Sequence, residues 1–351
     1  MDKKTEEAVK LLKLLIAQPS FSKEEHKTAL LLENLFKNKN IPVTRKGNNV
    51  IAQSLSFGSK EKTLLLNSHH DTVKPNPGYT RDPFIPYKEK DKLYGLGSND
   101  AGGALVSLIE SFLHFYDQDL PFDLLFIASA EEEITGANGI ASVLPDFNPD
   151  MAIVGEPTNM QAAVAEKGLI VLDVEVKGKS GHAARDEGEN AIYNAIPIVE
   201  AFKRARFPNE SQWLGPVKVT VTGIMAGVQH NVIPDSCKML VDVRTTDAYT
   251  NEETVELLCK NINASIIPRS LRLQPSSLNE DHVLHRTAKL LGMKCFGSPT
   301  LSDQAVMNFP SIKIGPGDSA RSHSADEYIC ISEIRDGING YINYIEKLDF
   351  I

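Results

Sequence analysis

Five separated segments of the chain carry side chains that could bind a metal ion or move a proton. His69 and Asp71 follow the apolar run "TLLLNS", and three adjacent glutamates follow "DLLFIASA". Glu156 follows "MAIVG", Asp100 precedes "AGGALVS", and His323 lies in "RSHSADE". Imidazole and carboxylate groups favour Zn²⁺, with Co²⁺ or Mn²⁺ as substitutes, whereas a soft site needs thiolates. The residue types therefore predict a metal centre, and shared carboxylates suit a pair of divalent ions.

Each of these segments has a plainer explanation when it is taken alone. A single histidine after a strand is typically solvated, Asp100 is well placed to cap a helix, and "EEE" at 131–133 is typical of a solvated acidic turn. Three adjacent carboxylates repel one another, however, and beside two histidines they are costly without a cation. The conjunction of the segments favours the metal centre over the separate explanations.

Asp71 lies two residues beyond His69, and alternate residues of an extended chain lie on the same side of the backbone. We therefore expect Asp71 to accept the second N–H of the His69 imidazole and to fix its tautomer. The intervening His70 is expected to face away from the metals.

Apolar strands that alternate with helices would bring these segments together. In open α/β sheets the ligand crevice lies outside the carboxyl ends of the strands, where these runs deliver their polar residues. Strands that are apolar throughout indicate an α/β fold with a mixed, mostly parallel sheet covered on both faces. Ser22 and Glu25 have the spacing of a capping box for a helix. The predicted strands are 50–55, 63–68, 123–129 and 151–155, and the predicted helices are 4–17, 24–38 and 101–116.

The pattern changes near residue 165, where strands begin to alternate apolar with polar residues. The order strand, helix, strand, strand, helix, strand, with "SLRLQPS" (270–276) as the last strand, is that of a ferredoxin-like βαββαβ module. The sequence thus predicts an α+β domain inserted into the first domain. The predicted division is 1–166 and 277–351 for the first domain and 167–276 for the inserted domain.

Composition and charge restrict the class of protein. The 351 residues are 42% hydrophobic, carry a net charge of -9 and include 4 cysteines that are far apart. An acidic chain has no positive electrostatic field that would attract a phosphate backbone, so nucleic-acid binding is disfavoured. Dispersed cysteines favour reduced thiols over disulfide bonds. No run approaches the roughly 18 apolar residues of a membrane span. The first residues lack the features of a signal peptide. We expect a cytoplasmic protein with no nucleic-acid or membrane partner.

Taken together, the motifs resemble those of a known enzyme family. "SHHDTV", "YGLGSNDAGGALVS", "ASAEEEITGANG", "IVGEPT" and "SHSADEYI" are similar to the successive metal-site motifs of the aminoacylase/carboxypeptidase G2-type di-zinc amidohydrolases. "GKSGHAAR", "GVQHNVIPDS" and "VDVRTT" resemble the lid-and-dimerisation domain of that family. The resemblance spans nearly the whole chain. It implies a di-zinc amidohydrolase that forms a homodimer through its inserted domain.

The resemblance assigns roles to the matching positions of the first domain. One ion would be bound by His69, Asp100 and Glu156, and the other by Asp100, Glu133 and His323, so that Asp100 bridges the two. The peptide bond after the bridging aspartate would be cis, which is rare before residues other than proline.

The general base is implied to be Glu132, and Asp71 is implied to orient the first histidine ligand. The family usually has Asp-Glu-Glu at this turn, where this chain has three glutamates, so a shift of one residue would make Glu131 the base. The spacing from Glu133 to the glycines that follow favours Glu132.

Three residues of the inserted domain are implied to act on the substrate. His182 resembles the lid histidine that reaches into the partner subunit's site. Asn231 and Arg244 resemble lid residues that hold the substrate's carboxylate or the transition state. Without the resemblance, His182 would be a surface loop histidine and Arg244 a solvated strand arginine.

The substrate implied by the resemblance is an N-acyl amino acid. A glutamate at the position of Glu156 goes with deacylases and carboxypeptidase-like members of the family, and a compact chain without long insertions resembles the acetylornithine deacetylase branch. We expect N-acetyl- or N-succinyl-L-ornithine to be hydrolysed in arginine biosynthesis; a succinyl group would need a second cation, from Arg185, Arg321 or Lys313. Alternatives are succinyl-diaminopimelate desuccinylase, a di-zinc dipeptidase or tripeptidase, and a non-enzymatic metal-binding scaffold. A dinucleotide-binding protein is a further alternative, although Asp100 in "GLGSNDAGG" would repel a pyrophosphate.

Overall fold

The structure, a computed structural model, describes residues 1–260 and 262–349. None of the helices in this described part is long and apolar enough to cross a membrane. The helices are α1 (Lys3–Ile16), α2 (His26–Asn38), α3 (Gly103–Phe115), α4 (Ala191–Arg204), α5 (Asn251–Cys259), α6 (Val283–Leu290) and α7 (Ile331–Glu346).

The strands of the described residues include several short ones that the sequence analysis did not predict. The strands are β1 (Val43–Lys46), β2 (Asn49–Gln53), β3 (Thr63–His69), β4 (Tyr87–Glu89), β5 (Lys92–Tyr94), β6 (Asp123–Ser129), β7 (Met151–Val154), β8 (Ala162–Glu166), β9 (Gly168–Lys177), β10 (Gly181–His182), β11 (Lys218–Ala226), β12 (Val232–Ile233), β13 (Ser236–Thr245), β14 (Ser265–Pro268), β15 (Ser276–Ser277), β16 (Cys295–Ser298), β17 (Ser311–Lys313) and β18 (Tyr328–Cys330).

The chain divides into two compact units. The first comprises Met1–Val164, Leu278–Phe296 and Ser302–Ile351, and the second comprises Ala165–Ser277 with Gly297–Leu301. The sequence-based division had placed every residue after 276 in the first domain, whereas Gly297–Leu301 belongs to the second unit.

The first unit is built on a mixed sheet whose central strands are parallel. The strand order is β1-β2-β6-β3-β7-β17-β8, and the pairs β6–β3, β3–β7 and β7–β17 are parallel. Successive residues of β6 face opposite sides: Phe126 contacts Phe112 of α3, whereas Leu125 and Ile127 join the cluster that contains Val143. Both faces of the sheet are therefore buried, which is why its central strands are apolar throughout. The predicted fold class is confirmed.

The second unit is an antiparallel sheet with two helices packed on it. The strand order is β11-β13-β9-β14, and all three pairs are antiparallel. Along the chain the order is β9, α4, β11, β13, α5, β14, as the ferredoxin-like pattern requires. Alternate residues of β9 and β13, such as Leu172 and Val241, are buried against Phe202 of α4 and Leu258 of α5. The one-sided core explains the alternation of apolar and polar residues.

The last strand of the antiparallel sheet is β14, and the prediction that 270–276 forms this strand was wrong. The backbone carbonyls of Leu271 and Leu273 accept hydrogen bonds from the Asn251 side-chain amide, at 3.0 and 2.8 Å. A side chain thus satisfies these carbonyls where a neighbouring strand would otherwise do so. Apolar alternation alone did not distinguish this extended segment from a strand.

Ser22 and Glu25 do not form the capping box that the sequence predicted for α2. The Ser22 hydroxyl donates to Asp71 Oδ2 at 2.7 Å, and the Glu25 carboxylate accepts from the Lys23 N–H at 2.6 Å. The capping-box prediction was wrong because both side chains turn away from the helix. They point toward the loops that follow β3 and β6.

Glu110 on α3 is expected to make the stability of the first unit depend on pH. Its side chain is buried, and burial together with Glu7 raises the pKa of its carboxyl to about 7. Because the pKa rises on folding, the protonated carboxyl stabilises the fold fully below about pH 4.5, and this contribution is lost as the pH rises toward 7. Glu110→Gln, which stays neutral, is expected to raise the Tm at pH 8 by about 2–4 °C and to leave it unchanged near pH 4.5.

Thermal unfolding followed by circular dichroism at both pH values will measure this difference. Glu61→Gln, at an exposed glutamate, is the matched control and is expected to show no such pH dependence. An equal Tm for Glu110→Gln and the parental protein at pH 8 would contradict the prediction.

Candidate metal centre

Three side chains of the first unit meet at the carboxyl edge of its sheet. His69 is the last residue of β3, Glu156 follows β7, and Asp100 lies in the tight turn before α3. His69 Nε2 lies 3.3 Å from Asp100 Oδ1 and 3.7 Å from Glu156 Oε1. One ligand atom from each residue lies within 4.8 Å of the others, so a single ion could contact all three.

A second group of ligand atoms shares Asp100. His323 Nε2 lies 3.1 Å from Glu133 Oε2 and 3.6 Å from Asp100 Oδ2, and the three residues again lie within 4.8 Å of one another. The hydrogen bond to Glu133 raises the pKa of His323 to about 9. Asp100 therefore presents Oδ1 to one group and Oδ2 to the other, as a bridging carboxylate does. The Asp100–Ala101 peptide bond is cis, as predicted.

Asp71 contacts the His69 imidazole in a different way from the one predicted. The closest acceptor for His69 Nδ1 is the backbone carbonyl of Asp71 at 3.0 Å, and the carboxylate Oδ1 lies at 3.5 Å. The carboxylate accepts the backbone N–H groups of Glu132 (3.1 Å) and Glu133 (3.2 Å). Asp71 thus orients the histidine mainly through its backbone, and its side chain holds the acidic turn.

The three glutamates after β6 point in different directions. Glu132 Oε2 lies 3.8 Å from His69 Nε2, next to the group formed by His69, Asp100 and Glu156. The Glu131 carboxylate instead accepts hydrogen bonds from the Asn138 side-chain amide at 3.1 Å and its backbone N–H at 3.4 Å. Only a glycine fits at 136, because a Cβ there would lie 1.8 Å from Glu131 Oε2. This packing directs Glu131 away from the cluster.

Negative charge accumulates in this buried cluster. Burial and the Asp100 carboxylate raise the pKa of Glu156 to about 8. Burial and the Glu156 carboxylate raise the pKa of Glu132 well above its ordinary value. Burial alone would lower the pKa of His69, but the carboxylates of Glu132 and Asp100 raise it well above its usual range. The shifts of the two glutamates reflect carboxylates that repel one another in a site with little solvent, and the shift of His69 reflects their attraction for a positive charge. Bound cations would relieve the repulsion.

His70 faces away from the cluster, as expected. Its Nδ1 lies 2.9 Å from the Thr28 hydroxyl, and its Nε2 lies 2.9 Å from the backbone carbonyl of Asn48. Burial lowers the pKa of His70 to about 4, so the imidazole is neutral at pH 7. Its role is to tie the end of β3 to the loop before β2.

The residues present fit two divalent ions. The donor set is made of imidazole nitrogens and carboxylate oxygens, which suits Zn²⁺, Co²⁺ or Mn²⁺. Each group has three protein ligands, the number that catalytic zinc sites have when water or substrate supplies the next ligand. The shared carboxylate of Asp100 accounts for the pairing of the two groups.

The second unit brings two of the three predicted substrate-binding residues together. His182 pairs with Val232 in the short β10–β12 ribbon, and the Asn231 carbonyl accepts the Ala183 N–H at 3.0 Å. His182 and Asn231 are both exposed. Arg244 lies near the opposite end of β13, which starts just after the ribbon, so about 25 Å of strand separates it from them.

Arg244 already has an anionic partner within the second unit. Its guanidinium makes two hydrogen bonds to the Asp242 carboxylate, at 2.9 and 3.1 Å. His182 accepts the Ala184 N–H through Nδ1 at 3.1 Å, which leaves Nε2 as the N–H donor in the neutral tautomer.

Two buried carboxylates that support the cluster were missed by the sequence analysis. Glu327 accepts the backbone N–H groups of Asn99 (2.8 Å) and Asp100 (2.9 Å), and burial raises its pKa to about 8. Asp303 accepts the Ser129 hydroxyl at 2.5 Å, and burial raises its pKa to about 6. Glu327 lies within the "SHSADEYI" motif, which was a usable signal. Asp303 follows a loop without any such signal.

Comparison with known proteins places the chain in a family. The sequence model for "Peptidase family M20/M25/M40" matches residues 65–347, a range that includes every residue of both ligand groups. The chain belongs to this family. The M20/M25/M40 assignment confirms the resemblance noted from the motifs and makes the chain a hydrolase.

Individual known proteins are similar over nearly the whole chain. The acetylornithine deacetylase of Proteus mirabilis (strain HI4320) is 30% identical over 361 residues, which cover 92% of this chain and 91% of that protein. A tripeptidase structure from Staphylococcus aureus subsp. aureus Mu50 superimposes with a TM-score of 0.77 at 18% identity over 98% of each chain. The YXEP protein of Bacillus subtilis, a dinuclear metal binding peptidase, gives 0.74 at 16% identity over 100% of each chain. At these identities the two structures show the shared fold.

Proposed function

We propose that this M20/M25/M40 hydrolase cleaves the amide bond of an N-acyl amino acid, with N-acetyl- or N-succinyl-L-ornithine as substrate in arginine biosynthesis. The observation that carries the proposal is the pair of ligand groups joined by Asp100, with the Glu132 carboxylate beside them. The similarity to an acetylornithine deacetylase over 92% of the chain supports the choice of substrate. The cytoplasmic location stays a prediction from the sequence.

The proposed metal ligands are those of the two groups. His69, Asp100 and Glu156 would hold one ion, and Asp100, Glu133 and His323 would hold the other, with Zn²⁺ as the proposed metal and Co²⁺ or Mn²⁺ as alternatives. When bound, such a pair of ions acidifies water and polarises a substrate carbonyl.

Glu132 is the proposed general base. Its carboxylate takes the proton of the attacking water and then gives it to the leaving amine as the C–N bond breaks. The position of the Glu132 carboxylate, 3.8 Å from His69 Nε2, suits both steps because it lies beside the residues that would hold an ion. The hydrogen bonds between the Glu131 carboxylate and Asn138 favour Glu132 over Glu131 for this role.

His182 is proposed to donate a hydrogen bond from Nε2 to the oxyanion of the tetrahedral intermediate in the partner subunit's site. Asn231, on the same ribbon, would act beside it. Arg244 is proposed to hold a carboxylate of the substrate and would have to share its guanidinium with Asp242. The separation along β13 means that Arg244 and Asn231 of one subunit cannot contact the same carboxylate.

The cation for a succinyl group is proposed to be Arg185. Arg321 makes two hydrogen bonds to Glu333 and stacks on the Tyr328 ring, and Lys313 is buried in β17. Arg185 is exposed in the loop that carries the lid histidine.

We propose that two copies of the chain associate through the second unit. β11 is an edge strand, and its Ile224 and Met225 are 55% and 73% exposed. Helix α4 contacts β11 and exposes Tyr193 and Ile196. An edge strand beside exposed apolar side chains is a surface that a second copy could cover by continuing the sheet.

Ile224→Lys is expected to convert the dimer to a monomer, because it places a charge in the proposed interface. Ile267→Lys is the matched control, since Ile267 is 62% exposed on β14 at the opposite edge of the same sheet. Sedimentation velocity will report the mass of each variant. A parental protein that sediments as a monomer, or an Ile224→Lys protein that stays dimeric, would contradict this interface.

The substrate proposal is tested by kinetics with the Zn²⁺-loaded protein. We expect kcat/KM to be highest for N-acetyl- or N-succinyl-L-ornithine among N-acyl amino acids, with N-succinyl-diaminopimelate as a comparison. Higher kcat/KM for unacylated dipeptides or tripeptides would favour a peptidase, which the likeness to the tripeptidase fold also permits. Inertness of the loaded protein toward all of these amides would reject the proposal.

A further inference from the structure

A buried carboxylate outside the two ligand groups contacts the turn that carries Glu132. Glu25, just before α2, has no exposed surface. Its Oε1 accepts the backbone N–H groups of Lys23 (2.6 Å) and Glu131 (3.2 Å), and its Oε2 accepts the side-chain amide of Asn48 (2.9 Å). Glu25 therefore joins three segments at the edge of the sheet where the ligand groups lie.

The acidic turn after β6 is held by carboxylates and not by a regular backbone ladder. Glu25 accepts the N–H of Glu131, and Asp71 accepts the N–H groups of Glu132 and Glu133. Glu131 has a φ of 54°, which is in the left-handed region that few residues other than glycine adopt. Two carboxylates thus fix three successive N–H groups of a backbone segment in an unusual conformation.

We propose that Glu25 is a positioning residue for Glu132. The inference rests on the proposed function, since it concerns the base of that reaction. Rotation of the Glu131 peptide would carry the Glu132 carboxylate away from the ligand groups, and the bond from Glu25 to the Glu131 N–H opposes that rotation. A displacement of about 1 Å at a reacting group lowers the rate by about 100-fold, so a modest rotation is sufficient to affect turnover.

The direction of the Glu25 side chain supports this role. A glutamate at the start of α2 could accept N–H groups of the first helical turn. The Glu25 carboxylate instead accepts the backbone N–H of Glu131, more than 100 residues away in the chain. Ser22 of the same loop donates to Asp71, so this short loop supplies one of the two carboxylates that bind the acidic turn and a hydrogen-bond donor to the other.

Glu25→Gln tests the proposal. The new amide would place an N–H₂ group against a donor, either the Asn48 amide or the two backbone N–H groups. We expect kcat to fall by about 10- to 100-fold with KM within about twofold and with the metal content unchanged. A purely structural role would instead lower the amount of folded protein and leave the kcat of the folded fraction unchanged.

A second substitution is expected to restore the contact. In Glu25→Gln/Asn48→Asp the donor and the acceptor of that hydrogen bond are exchanged, so Oε1 can again accept both backbone N–H groups. We expect kcat to return to within about threefold of the parental value. Asp123→Asn is the control for loss of a buried carboxylate, because Asp123 accepts the Gly58 N–H at 2.7 Å at the opposite end of β6. It is expected to leave kcat unchanged.

Hydrogen exchange of a peptide that spans 129–136 provides a measurement that does not depend on turnover. We expect faster exchange of the amides of the acidic turn in Glu25→Gln, and parental exchange in the double variant and in Asp123→Asn. Parental exchange in Glu25→Gln, or faster exchange with parental kcat, would overturn the inference. A parental protein that cleaves no amide would overturn the proposed function instead. The exchange rates alone would then test whether the hydrogen bond from the Glu131 N–H to Glu25 stabilises the turn.

Discussion

Glu132→Gln is expected to lower kcat by about 10³-fold or more and to leave the metal content of the protein unchanged. The amide cannot take a proton from water, and the Glu132 carboxylate is not a member of either group of ligand atoms. The variant keeps the shape and hydrogen-bonding capacity of the side chain, so the acidic turn is expected to persist. Steady-state kinetics with an N-acyl amino acid and elemental analysis of the same preparation will measure both quantities.

The neighbouring glutamate supplies the control for this prediction. Glu131→Gln is expected to lower kcat by less than about tenfold, because the Glu131 carboxylate is bonded to Asn138 and only supports the turn. The two variants remove the same charge from adjacent positions of one turn. If Glu131→Gln were inactive and Glu132→Gln active, the base would be Glu131 and the assignment of the turn would be shifted by one residue.

Much of the two ligand groups could be predicted because the sequence places His69, Glu133 and Glu156 at or shortly after the ends of apolar strands. His69 ends β3 and Glu156 follows β7, and these strands pair in parallel, so the two side chains meet at one edge of the sheet. The position of Asp100 was predicted from the glycine-rich turn that precedes α3. The family motifs then supplied the distribution of these residues between two ions, which strand order alone does not determine.

The supporting contacts could not be predicted because they join segments that lie far apart in the chain. Glu25 reaches Glu131, and Asp303 reaches Ser129, across 106 and 174 positions of sequence. Glu25 was instead interpreted as part of a helix cap, because only local spacing was available. A buried carboxylate shows no pattern in the sequence that separates it from an exposed one.

Backbone groups limit prediction in a similar way. The carbonyl of Asp71, and not its carboxylate, is the closest partner of the first histidine ligand, and a sequence does not show where a carbonyl points. The carbonyls of Leu271 and Leu273 are satisfied by a side chain, so the apolar alternation of that segment does not produce a strand. In both cases the conformation of the main chain decides the outcome.

Asp100→Ala is expected to remove both metal ions and to lower turnover by about 10⁴-fold or more, because it is the one residue common to both ligand groups. Loss of a residue that only orients a ligand costs about 10- to 100-fold in metal affinity, so loss of a shared ligand is expected to cost more for each ion. Elemental analysis after dialysis, together with isothermal titration with Zn²⁺, will measure the number of ions and their affinity.

His323→Ala distinguishes a bridging carboxylate from two independent sites. His323 belongs to one group only, so we expect this variant to lose one ion and to keep the ion held by His69, Asp100 and Glu156. Asp100→Asn, which keeps the shape of the side chain but not its charge, is expected to resemble Asp100→Ala in metal content. Retention of one tightly bound ion in both Asp100 variants would mean that Asp100 serves a single ion. The two groups would then be neighbouring sites without a shared ligand, and the paired geometry on which the role of Glu132 depends would be lost.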